Sequence, residues 1–237
     1  MATTTIRPNA NGDEINGAQY PDSGYFYDKV DDVTPDELDT YIYNNESEPQ
    51  VSWMRSLFHL NNPTVRGIIN KITVYARMRV IGSSGVTGYG RICIKTHGTV
   101  YETGNIELSQ SFTNYSQVYS VNPYTGSQWT WSEIDNLQAG VNLHGYVDVP
   151  NVLERAVCTQ IYVVIDYLPA YDIGLRYRHG GSTYKIEAQE LQSTHKLRIY
   201  KDGVIYGIPL VDVSDPNASP IRIYDGSTIK ALKKYSF

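Results

Sequence analysis

Cysteine is scarce in this chain: Cys93 and Cys158 are the only two in 237 residues. Two thiols exclude a disulfide-stapled scaffold and a cysteine-based zinc cluster. Charge is scarce as well. Asp, Glu, Lys and Arg make up 19% of the residues, against about 25% in an ordinary soluble domain. No apolar run approaches the ~20 residues that a membrane-crossing helix needs, so membrane insertion is not expected. Met1 to Pro8 show no basic start followed by an apolar stretch, so no secretory leader is expected. Phenylalanine and tryptophan number only 4 and 3, while tyrosine reaches 21. Tyrosine offers a large amphipathic contact area at low entropic cost and is enriched at protein interfaces.

Catalytic signatures are missing too. The histidines are His59, His97, His144, His179 and His195, and no two have the i, i+4 spacing of a helical zinc motif. There is no Gly-x-Ser-x-Gly elbow and no phosphate-binding Gly-x-x-x-x-Gly-Lys loop. Gly85-Val86-Thr87-Gly88-Tyr89-Gly90 is glycine-rich, but it joins two strand patterns and opens no helix, so it reads as a hairpin loop. No enzymatic activity and no cofactor are expected. The densest carboxylate cluster is Asp31, Asp32, Asp36, Glu37 and Asp39. It has the hard oxygens calcium favours but not the spacing of a calcium loop, so a solvated acidic loop is the preferred reading.

Charge is unevenly distributed. Residues 1–50 hold 11 acidic and 2 basic groups, 51–172 hold 8 of each, and 173–237 hold 10 basic and 6 acidic groups. An acidic beginning and a basic end suit contact between copies of the chain, because complementary charge steers and registers an interface. Two solvated faces are the alternative. The basic end has interspersed acids and no recognition-helix pattern, so no nucleic-acid partner is expected.

Turn residues crowd the first 50 positions, notably Pro8-Asn9-Ala10-Asn11-Gly12-Asp13 and Tyr20-Pro21-Asp22-Ser23-Gly24, and predict an extended, irregular arm. Within it, Thr34-Pro35-Asp36-Glu37 suits one helical turn and Tyr41-Ile42-Tyr43 a short strand. From Lys71 a period of two sets in. Ile72, Val74, Ala76, Met78 and Val80 alternate with polar residues, the pattern of a strand with one buried face. Arg91 to Lys95, Val118 to Val121, and Val157, Thr159, Ile161, Val163, Ile165 and Tyr167 repeat it. By this alternation Cys93 shares a face with Arg91 and Lys95. The two thiols meet only if their strands are neighbours, and two separate buried thiols are the stronger expectation.

One helix is expected after Trp129-Thr130-Trp131, with Ser132 as its cap, Asp135 completing a capping box and Gly140 closing it. Trp129 and Trp131 would anchor this helix, and Trp53 the arm. Strands every ten to twenty residues with a single short helix predict an all-β fold, an antiparallel sandwich at 51–172.

Residues 173–237 contain an internal repeat. Leu175-Arg176-Tyr177, Leu197-Arg198-Ile199 and Ile221-Arg222-Ile223 each open a unit that turns at glycine and resumes with alternating apolar residues. Asp202-Gly203 and Asp225-Gly226 are strong hairpin turns, since glycine accepts the positive φ they need. Three β-hairpins are expected. Asp31, Asp32 and Asp36 at one end, and Arg176, Arg198, Tyr200, Arg222 and Tyr224 at the other, are the candidate interface residues.

Three stretches carry a resemblance. They are the opening Ala2-Thr3-Thr4-Thr5-Ile6-Arg7-Pro8-Asn9 with its Asp-rich continuation, the pairing of Trp129–Val141 with Val157–Tyr167, and Tyr206-Gly207-Ile208-Pro209-Leu210 running on to Lys233-Lys234. Together they resemble structural proteins of tailed bacteriophages and related viruses, a loose class with jelly-roll-like sandwiches. The resemblance implies a tail, fibre or head-decoration component of a virion. Its partners would be copies of itself and other virion proteins. A module that binds host-surface carbohydrate is the alternative. The motifs are structural, so the resemblance implies no catalytic residue.

Overall fold

The computed structural model describes residues 1–44, 52–82, 87–145 and 155–169 in full, and six further strands between 171 and 233 by their backbone and pairing. The chain divides into two units, Met1–Tyr167 and Leu168–Phe237.

The first unit is an all-β sandwich. Its strands are β1 Ala2–Ile6, β2 Pro8–Ile15, β3 Ala18–Tyr20, β4 Tyr41–Tyr43, β5 Met54–Leu60, β6 Gly67–Ile81, β7 Gly88–Thr96, β8 Thr99–Glu102, β9 Ile106–Glu107, β10 Thr113–Tyr119, β11 Gln138–Gly145 and β12 Arg155–Pro169, with helix α1 at Trp131–Asp135. The first sheet runs β10-β6-β12-β4-β3, and β1 also pairs with β12. The second runs β2-β5-β11-β7-β8, with β9 on β7. Every recorded pairing between these strands is antiparallel.

The core lies between the sheets. The even-numbered residues of β6, Ile72 to Val80, are buried against Phe58 of β5, Ile92 and Ile94 of β7, and Val141 and Leu143 of β11. Period-two alternation puts these side chains on one face of each strand. Removing each large apolar side chain from water contributes about 1.5–3 kcal/mol. Gly88 and Gly90 sit where β7 passes closest to β6. A Cβ at either would lie 2.8 Å from Val80 Cγ2 or 2.9 Å from Met78 Sδ. Gly88 to Gly90 of the glycine-rich stretch are therefore strand and not loop, and β6 and β7 lie in different sheets, so they do not pair as a hairpin. Gly85 and Val86 lie outside the described residues.

The long strand β12 follows the expected alternation only in part. Ile161, Val163 and Ile165 join the core, but before them the core members are Ala156 and Cys158. The inward face changes parity between 158 and 161, so one residue falls out of step. Val157 and Thr159 are buried outside the core cluster. Segment 30–40 covers this outer surface. Ile161 N–H donates to the Val30 carbonyl (2.7 Å), Gln160 Nε2 to the Asp32 carbonyl (2.6 Å), and Thr159 Oγ1 lies 2.9 Å from the Thr40 carbonyl.

These bonds correct the reading of residues 1–50 as an extended arm. Residues 1–44 supply β1, β3 and β4 to the first sheet and β2 to the second. Turn residues do not break these strands, because irregular registers absorb them: β2 shifts register against β5 at two places. No helical turn forms at Thr34–Glu37; the only turn of helix nearby is a 3-10 turn at Tyr27–Lys29.

The helix also starts two residues earlier than expected. Thr130, not Ser132, is the cap, and Glu133, not Asp135, closes the capping box. Glu133 Oε2 accepts from Thr130 N–H at 2.8 Å, a reach the shorter Asp lacks. Asp135 instead pairs with Arg66. Gly140 lies within β11, and Asn136 ends the helix. Trp129 and Trp131 anchor α1 as expected, donating to the carbonyls of Tyr119 (3.1 Å) and Gly67 (2.7 Å).

In the second unit, β13 Tyr171–His179 pairs with β14 Ser182–Ala188, β15 Lys196–Lys201 with β16 Val204–Val211, and β17 Ala218–Tyr224 with β18 Ile229–Lys233. These are the three expected hairpins. They join edge to edge into one antiparallel sheet, β13-β14-β15-β16-β18-β17. Their glycine turns, at 180–181, 202–203 and 225–226, lie outside the described residues.

Candidate functional site

Two surfaces of the sandwich concentrate polar and aromatic chemistry. The first is the outer face of the second sheet. Register places Arg55, Asn142 and Arg91 in one cross-strand row over β5, β11 and β7. Beside it, Cys93 is paired with Glu102 of β8. Glu102 is the hub. It accepts from Arg55 Nη1 at 2.9 Å, Arg91 Nη1 at 3.0 Å and Asn142 Nδ2 at 3.0 Å. Burial pushes its carboxyl up, but these three hydrogen bonds outweigh burial and hold it below the ordinary glutamate range. Arg55 is shared with Glu14 of β2 at 2.6 Å, and Arg91 also reaches Asn105. Two guanidinium groups thus meet two carboxylates, and the network clamps five strands together, β2, β5, β7, β8 and β11.

Above this network lies an aromatic group. Trp53, just before β5, has the Arg91 guanidinium 3.8 Å from its ring centroid and the His144 ring at 4.8 Å. Tyr89 meets His144 edge-on at 6.3 Å. Trp53 therefore belongs to this sheet face and does not anchor the N-terminal residues. Burial lowers the His144 pKa, favouring the neutral ring.

The second surface is the outer face of the first sheet, four strands wide from β10 through β6 and β12 to β1. Tyr75 and Tyr162 stack on it with centroids 4.8 Å apart and planes 9° from parallel. Arg7 lies over the Tyr162 ring at 4.9 Å. Register places Thr5 opposite Val164, Ser116 opposite Tyr75, and Val118 opposite Thr73. Val118 is 45% exposed. Charge here is mixed: Lys71 pairs with Asp166 and Arg77 with Glu37, while Arg79 lies over the Phe112 ring at 5.3 Å and Arg7 donates to the Asp32 carbonyl at 2.7 Å. Periodicity identifies these positions as outward-facing, but the meeting of Tyr75 with Tyr162 requires the β6–β12 pairing.

The candidate interface residues fall into two sets. Asp31, Asp32 and Asp36 sit on the segment tied to β12. Asp36 accepts from Thr40 at 2.8 Å and lies 3.1 Å from Thr159 Oγ1. Burial, and then the neighbouring carboxylates, raise the pKa of Asp31 and Asp32. Among the described residues, no three His, Cys, Asp or Glu side chains are placed to hold a metal ion. Arg176 lies in β13, Arg198 and Tyr200 in β15, and Arg222 and Tyr224 in β17. Each set of candidates thus occupies a different unit. The thiols are free and in different sheets, Cys93 under the Glu102 network and Cys158 in the core.

No protein-family model matches the chain, and no curated protein matches its sequence.

Proposed function

We propose that the chain is a non-enzymatic structural component of a virus particle, of the tail, fibre or head-decoration class, assembling through β-rich, tyrosine-lined surfaces with copies of itself and other virion proteins. The resemblance read from the sequence supports the virion setting. The observation that carries the assembly reading is the outer face of the first sheet. It is broad and lined by Tyr75, Tyr162, Thr5, Val118 and Val164, with Lys71 and Arg77 held in ion pairs and Arg7 and Arg79 laid over aromatic rings. A broad surface of tyrosine and arginine, residue types enriched at interfaces, suits a protein partner better than solvent alone.

Sedimentation velocity and negative-stain microscopy of the full chain test the reading. A closed or tubular assembly is the expected result. A chain that stays monomeric at every concentration overturns it. A ring of six would favour a tail component, and a closed trimer a fibre or decoration.

A second reading, binding of a host-surface glycan, is supported by the group of Trp53, His144 and Tyr89 on the second sheet. Saccharide-dependent binding on a glycan array, lost in Trp53→Ala, is its expected signature. No signal on the array overturns it.

A further inference from the structure

We infer that the C-terminal sheet is half of a sandwich whose other half is the same sheet of a second copy, packed apolar face to apolar face. Cross-strand partners in an antiparallel ladder share a face, and residues two apart along a strand do too. Following the pairs across the sheet sorts the residues of its strands into two sets. Arg176 pairs with Lys185, Glu187 with Arg198, and Arg198 with Gly207. Val211 pairs with Ala231, and Ala231 with Arg222. Register thus collects Arg176, Lys185, Arg198 and Arg222 on one face. The other face collects Tyr177 with Tyr184, Ile186 with Ile199, Ile199 with Tyr206, Leu197 with Ile208, and Leu210 with Leu232.

The three repeat units thus do one thing in common. Each alternates a basic position with an aliphatic or aromatic one, and edge-to-edge joining aligns all three alternations. The result is a sheet with one predominantly basic face and one predominantly apolar face. All six strands of this unit lie in that single layer. A sheet with an apolar face is stable only when a second layer covers it.

Two arguments select a second copy as that layer. The first is area. Six strands about 4.8 Å apart and some six residues long present a face of roughly 30 by 20 Å. Pairing two such faces buries on the order of 1,200 Å², the lower bound of a stable specific interface. The second is charge. Two copies brought together by their basic faces repel most, whereas the apolar face carries only Lys201 and Lys230, opposite Val204 and Ile223 near the ends of their strands, among its strand lysines and arginines. Like charge therefore fixes which sides meet, and leaves a basic surface on each outer side of the pair. Aligned sheets pack about 10 Å apart with their strands some 30° from parallel. The two-fold axis would pass near the middle of the sheet, between β15 and β16, where Ile199 pairs with Tyr206.

This inference rests on the assembly reading and names its contact. Adjacent residues on opposite faces test it in the full chain. Ile199→Cys and Arg198→Cys are each treated with a short bis-maleimide under native conditions. Cys93 and Cys158 are buried, so the introduced thiol is the accessible one. The expected result is at least ten-fold more covalent dimer with Ile199→Cys than with Arg198→Cys. Equal yields, or a preference for Arg198→Cys, overturn the face-to-face contact. Because a cysteine at Ile199 could loosen the sheet, Ile199→Lys and Arg198→Glu are compared by sedimentation. Ile199→Lys should raise the dissociation constant at least ten-fold and Arg198→Glu should not. An assembly with an odd number of copies overturns the two-fold contact while leaving the assembly reading standing. A monomeric full chain overturns both.

Discussion

Glu102→Gln isolates the charge at the centre of the strand-clamping network. The substitution keeps the shape and removes the anion that Arg55, Arg91 and Asn142 converge on. Glu102 is only 18% exposed at its side chain, so water replaces little of the lost interaction. A hydrogen bond to a charged group contributes about 1.5–3 kcal/mol. Three share one carboxylate and do not add in full. Arg55 keeps Glu14, while Arg91 keeps only the neutral Asn105 and the Trp53 ring. The expected loss is about 3 kcal/mol at neutral pH, consistent with the cost of stranding one partner of a buried pair. Urea unfolding, followed by tryptophan fluorescence with an unchanged m-value, measures it. The acid dependence gives a second reading. The folded pKa of Glu102 is depressed, so its contribution is complete above the unfolded value of about 4.3 and disappears as the pH falls through the folded value. The gap between parent and variant should therefore close on acidification. A gap below about 1 kcal/mol at pH 7, or one that persists undiminished into strong acid, refutes the reasoning.

Three further outcomes follow from the geometry. Gly140→Ala would drive its Cβ into the Ser56 carbonyl oxygen and within 2.9 Å of Leu57 Cα, so β5 and β11 must part; a loss of about 3 kcal/mol or failure to fold is expected in thermal denaturation. Thr130→Ala removes the cap of α1 and should cost about 1 kcal/mol, visible as a lowered Tm. Burial raises the pKa of both thiols, Cys158 to about 12, so neither should react with a thiol reagent in the native chain at pH 8, and both should react in urea; a fast-reacting native thiol would refute the packing.

Much of the sandwich was legible as alternation. Five of the core residues of β6, Ile72 to Val80, are evenly spaced on one face, and Arg91–Lys95 carries the same rhythm into β7. The three hairpins were legible for a different reason: their aliphatic-Arg openings recur, and repetition raises a weak local signal. The N-terminal strands were hidden. Their pairing partners are distant, β1 on β12 and β2 on β5, so stability comes from tertiary ladders that local propensity does not register. Pro, Asn and Gly there fall at register shifts of β2 on β5 and do not break the chain. The parity change in β12 was hidden too, because Thr159 continues the spacing of its neighbours but faces segment 30–40. The Glu102 network needed the strand order. Its members come from β2, β5, β7, β8 and β11, and no short motif links them.

The pairing of β1 with β12 has a bearing on how the protein is made. Ala2 lies opposite Tyr167, and Ile6 opposite Val163. β1 therefore leaves the ribosome well before its partner β12 and waits for it, with some 160 residues of chain emerging between them. Synthesis proceeds at about 5–20 residues per second, so this wait lasts on the order of 10 s. Throughout it β1 has an open edge, and β6, once made, lacks its sheet neighbour β12. Non-local ladders of this kind close slowly. The sequence of β1, three threonines with no large apolar residue before Ile6, suits such an interval. It can wait in water with little to hide.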